Sequence, residues 1–138
     1  MAQQDVENTK AAYEAFGRGD VMAAAENFAD DIEWWTSESL PDGGTVRGKD
    51  AVLEAWSHLP EYVTEFAVEP DEILDCGDKI VVRGHQHVKT KETGETYDGP
   101  FVQILEFSGG KVQRAEFFED SGKVLEALAG QNIEVGAA

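Results

Sequence analysis

The stretch "RGHQHVK" carries His85 and His87, two of the three histidines in the chain, one residue apart. Histidine titrates near neutrality and also binds metals, so a close pair has several uses. As metal ligands they need a third partner, and His58 or a carboxylate would have to supply it. Zinc sites generally take at least three protein ligands, and no Cys/His zinc spacing exists, so no metal and no cofactor is expected. As an acid/base pair they need a carboxylate to fix the tautomer, and Glu119 or Asp120 in "FFED" is the candidate. As polar groups at the mouth of a pocket they need no chemistry at all. The catalytic assignment carried forward is His85 with Glu119.

What the histidines face decides among these uses. The residues before them, "KIVV", read as a strand. If it continues through "HQH", His85 and His87 share a face with Val81 and Arg83. Val82, Gly84, Gln86 and Val88 then share the opposite face. Both sets mix apolar and polar residues, so periodicity alone does not choose between them.

The rest of the chain supplies the frame. A helix is expected over 4–17, where Val6, Tyr13 and Phe16 form a stripe, and "GRGD" ends it. Asp20 suits the N-cap of a second helix over 21–29. "DIEWWTSE" is expected as a short strand, "LPDGGTVRG" as a loop, and 49–59 as a third helix. Four long strands follow, joined by turns at Gly77, "KETGET" and "SGG", then a short C-terminal helix ending at Gly130. The order predicts an α+β domain, a cone-shaped curved antiparallel sheet wrapped around N-terminal helices. One domain is expected over 1–130, with a C-terminal tail over 131–138.

Composition excludes some partners. There are 28 acidic and 11 basic residues, a net charge of −17. Such a surface repels nucleic acid and anionic membranes. No run of eighteen apolar residues is present, and "MAQQDVENTK" lacks the basic-then-apolar pattern of a secretory signal. Cys76 is the single cysteine, which excludes an intrachain disulfide and fits a cytoplasmic location.

"GRGDVMAAAENFADDIEWW", "TVRGKDAV", "GDKIVVRG", "YDGPFVQILEFSGGKV" and "FFEDSGKVLEAL", in this order, resemble the SnoaL-like family of the nuclear transport factor 2 and ketosteroid isomerase superfamily. The resemblance implies a cone with a pocket at its open end. Ketosteroid isomerases carry a tyrosine, a basic aspartate and an acidic aspartate at positions that fall here on Ala12 (beside Tyr13), Thr36 and Gln103. Thr36 and Gln103 cannot do that proton transfer, so isomerase chemistry of that type is not expected. The positions used by the epoxide hydrolases of the superfamily fall on His85, His87 and Phe117, with Glu119 the nearest carboxylate of the same parity. The resemblance thus implies that His85 and His87 point into the cone. The implied pocket comprises Tyr13, Phe16, Trp34, Thr36, Trp56, His87, Phe101, Gln103 and Phe117. Its implied occupant is a small, largely apolar organic molecule, bound by a homodimer. Isomerase-, hydrolase- or cyclase-type acid–base chemistry and a non-enzymatic binding or assembly module remain alternatives.

Overall fold

A computed structural model describes residues 2–41 and 43–129, and the tail expected at 131–138 lies outside the described residues. Helix α1 (Ala2–Gly17) and the short α2 (Val21–Ala24) lead into β1 (Phe28–Thr36) and β2 (Gly44–Arg47). Helices α3 (Lys49–Ser57) and α4 (Leu59–Tyr62) follow. Then come β3 (Val63–Asp75), β4 (Lys79–Thr90), β5 (Thr96–Ser108), β6 (Lys111–Glu119) and α5 (Ser121–Ala129). No described helix is long and apolar enough to cross a membrane.

The six strands form one sheet in the order β2-β1-β6-β5-β4-β3. Its neighbours are antiparallel except β1 and β6, which run parallel. Helix α1 lies over β3, and α3 packs on β1 and β2, so the helices cover one face of a curved open sheet. The α+β class and the curved sheet with N-terminal helices match expectation. The parallel pair is a difference: β1 enters the sheet before the meander of β3 to β6, and β6 folds back against it.

Two further differences have physical causes. The second helix stops at Ala24, because Phe28, Ala29 and Ile32 are all buried as part of β1. Asp20 still caps it, its side chain accepting from the Ala23 N–H at 3.1 Å. The stretch expected as loop contains β2, held by four residue pairs from Glu33↔Arg47 to Thr36↔Gly44. Its glycine and turn signals hid a ladder that a neighbouring strand supplies.

The core sits between helices and sheet, with Ala25, Phe28, Ile32, Val52, Ile80, Val82, Phe101, Leu105, Val112 and Ala115 packed together. On β4 burial alternates strictly around the histidines: Val82, Gly84, Gln86 and Val88 are buried, whereas Arg83 and His85 are exposed. This alternation places the even-numbered residues inside the cone. Cross-strand partners share a face, and Val82 pairs with the inward Gln103 of β5.

Candidate functional site

A cavity of about 220 Å³ opens on the concave side of the sheet. Its walls come from all five helices and from every strand but β2. Tyr13, Phe16, Trp34, Thr36, Trp56, Gln103, Phe117 and Glu119 all line it. Trp56 meets Trp34 edge-on at 5.4 Å and Phe16 at 5.2 Å between ring centres. Such T-shaped contacts put positive ring edges against negative faces and stiffen the wall. Phe66 of β3 extends this cluster from Phe16 and was not foreseen. The long strand alternates so loosely that "VTEFAVE" gave no pocket signal.

Three sequence assignments need correction. His85, proposed as catalytic, and His87, proposed for the pocket, lie on the outer face of the sheet and do not border the cavity. Side chains alternate along β4, so Gly84 and Gln86 hold the inward positions instead. Phe101 points inward but lies behind the wall at 1% exposure, stacked on Tyr13 at 6.1 Å and on Phe117 at 5.0 Å.

The histidines instead bind carboxylates across strands. The two ring nitrogens of His87 lie 2.7 Å from Glu65 and 2.7 Å from Asp98. His85 Nδ1 sits 3.0 Å from Asp71, and Nε2 is 3.5 Å from Glu69. An imidazole flanked by acceptors at both nitrogens must be doubly protonated to donate to both. Hydrogen bonding to Asp71 first, then its charge, raises the His85 pKa; hydrogen bonds to Glu65 and Asp98 raise that of His87. Among the described residues no group of three or more potential ligands could hold a metal.

Because both folded pKa values lie above the ordinary 6.5, the stabilisation is complete below that pH and is lost as pH rises through the folded values. The melting temperature of the natural protein, relative to a His85→Gln/His87→Gln double variant, should therefore decline from about pH 6 to about pH 8. The effect should be small, since both rings face solvent. A difference that grows with pH would contradict the assignment.

Inside the cavity the polar groups are few. The Tyr13 hydroxyl donates to Gln103 Oε1 at 2.6 Å, and burial raises the Tyr13 pKa so that it keeps its proton. Glu119 is the one carboxyl in the lining, and no lysine, arginine or histidine borders it among the described residues. Burial raises its pKa, partly opposed by Gln86, whose Nε2 donates to Oε1 at 2.6 Å. Gln86 was not singled out from sequence, because a glutamine in a mixed strand carries no distinguishing signal. A carboxyl whose pKa is raised by burial keeps its proton to higher pH than an exposed one and can exchange it with a group beside it. Val124 and Leu128 of α5 close one side of the cavity, and Thr93 Oγ1 donates to Ala127 O at 3.0 Å, fixing that helix to the β4–β5 hairpin.

The arrangement resembles known structures. A nuclear transport factor 2-like protein of unknown function from Burkholderia pseudomallei is 26% identical, with 91% of this chain and 97% of that chain covered and a TM-score of 0.86. TerC, co-crystallised with polyporic acid, is 27% identical over 91% of this chain and 98% of its own, with a TM-score of 0.84. A putative SnoaL-like polyketide cyclase from Jannaschia sp. CCS1, 18% identical over 93% of both chains, shares the fold at a TM-score of 0.80. No curated protein matches the chain. The model of the SnoaL-like domain matches residues 9–115, and the chain belongs to that family.

Proposed function

We propose that this protein binds a small, largely apolar, ring-bearing organic molecule in the cavity, and that Glu119 exchanges a proton with it. The observation that carries the reading is a single half-buried carboxyl in an aromatic-rich wall that, among the described residues, holds no cationic side chain. Ring faces from Trp34, Trp56 and Phe117 favour a flat occupant. The Tyr13–Gln103 pair and Glu119 offer hydrogen bonds at separate points of the wall. The absence of cationic lining, with the net charge of −17, disfavours an anionic ligand. The co-crystal of TerC with polyporic acid supports a small organic occupant for this fold.

Removing apolar surface from water gains about 25 cal/mol per Å², enough for micromolar binding of a drug-sized molecule after association costs. Titrating 1-naphthol and other uncharged fused-ring compounds should therefore change tryptophan fluorescence and raise the melting temperature. Affinity for 1-naphthol should rise with pH at a midpoint above the ordinary glutamate value of 4.5, as Glu119 ionises and accepts its hydroxyl. Glu119→Gln should keep binding but lose that pH dependence. If a broad panel leaves both signals unmoved, the non-enzymatic assembly module of the same fold becomes the better reading.

The protein is further proposed to pair as a homodimer through the outer face of the sheet. Trp35 and Phe118 meet there at 5.1 Å between ring centres, Phe118 is 40% exposed, and Val102 and Ile104 continue the apolar patch. Charged pairs such as Arg114–Glu33 at 2.8 Å flank it. A patch of this kind usually marks an interface, and a self-complementary one suits a twofold dimer. Light scattering at micromolar concentration should give a dimer mass that Phe118→Glu converts to a monomer. A monomer mass for the natural protein would exclude this pairing.

A further inference from the structure

We propose that Gln86 is a positioning residue for Glu119: its amide fills one carboxylate oxygen from behind, so that the other oxygen, with the exchangeable proton, faces the cavity. The inference rests on the reading of Glu119 as the proton-exchanging group.

The two side chains come from strands that are not neighbours. Gln86 of β4 pairs with Gly99 of β5, and Glu119 of β6 pairs with Phe101 on the other edge of β5. The amide must cross β5 to reach the carboxyl. The space over Gly99, where a side chain would otherwise stand, is filled by the Tyr97 ring and hydroxyl, which lie beside the amide. Gln86 is only 1% exposed, so the 2.6 Å contact is made out of water. The amide Nε2 donates to Glu119, and the buried Tyr97 hydroxyl interacts with the same Gln86 side chain from the other side. A buried amide is tolerated only where it is hydrogen-bonded, a requirement that an apolar residue filling this site would not have. What the glutamine supplies, and an apolar side chain cannot, is the donated hydrogen bond to Glu119.

Few other groups bear on Glu119. Asp120 turns to α5, where its Oδ1 accepts from the Lys123 N–H at 3.1 Å. The Tyr97 hydroxyl, whose pKa burial raises, keeps its proton and adds no charge. Burial favours the neutral acid and prevails, while the Gln86 donor favours the carboxylate and limits the rise.

The test is a carboxyl carbon-13 NMR titration of ligand-free protein labelled at glutamate, with the Glu119 signal identified by its loss in Glu119→Gln. Gln86→Met keeps the volume but removes the donor, and should move the Glu119 midpoint upward by about one pH unit or more. Gln86→Asn, too short to reach, should move it in the same direction and serves if the methionine variant does not fold. A purely structural glutamine would lower the melting temperature and leave the midpoint where it was, and that result overturns the proposal. Since no ligand is used, a cavity that fails to bind 1-naphthol would end the functional reading without altering this result.

Discussion

Replacing Phe117 by aspartate should weaken binding of an uncharged ring compound by about 2–4 kcal/mol, roughly 30- to 1,000-fold. Phe117 lines the cavity and stacks on Phe101 at an interplanar angle of 20°. It also shares its face of β6 with Glu119, two residues on. Aspartate removes the apolar ring from that wall and puts a second carboxyl near the first. Among the described residues no cation is in the lining to compensate it. Phe117→Leu, which keeps the surface apolar, should cost far less. Fluorescence titration with 1-naphthol, alongside melting temperatures to confirm folding, separates the two variants. Binding that survives Phe117→Asp would move the site away from this wall.

The second large effect concerns Gly84, which is buried on the inner face of β4. A Cβ at this position would lie 2.2 Å from the Glu69 carbonyl oxygen and 2.8 Å from the Phe101 ring. The first neighbour is backbone and the second is wedged between Tyr13 and Phe117, so neither can retreat cheaply. Gly84→Ala should therefore destabilise the fold at the upper end of the 1–3 kcal/mol typical of overpacking. For a chain of this size that is a fall in melting temperature of roughly 10 °C. The displaced Phe101 would also push Phe117 into the cavity, so ligand binding should weaken in the fraction that folds. An unchanged melting temperature for Gly84→Ala would show that β3 and the Phe101 ring yield to the added methyl group.

Much of the frame was legible because it depends on local pattern. The helical stripe of Val6, Tyr13 and Phe16, the Asp20 cap, and the glycine-marked turns between long strands act over a few residues, and the corresponding elements form. Trp34 and Thr36, two apart on β1, both reach the cavity because parity within one strand needs only a common starting point. The phase of β4 was not legible. Val81, Arg83, His85 and His87 are as mixed in polarity as Val82, Gly84, Gln86 and Val88, so alternation could not tell inside from outside. Pairing decided it: Val82 against Gln103, and His85 and His87 against carboxylates from β3 and β5, are contacts between residues distant in sequence. A shift of one residue carries every side chain to the other face, so this single choice exchanged two histidines for Gly84 and Gln86. The sequence by itself determined the fold class and most of the cavity's aromatic wall. Only the tertiary structure decided that Glu119 is backed by an amide and not a histidine, because that contact spans 33 residues and joins β4 to β6 across β5.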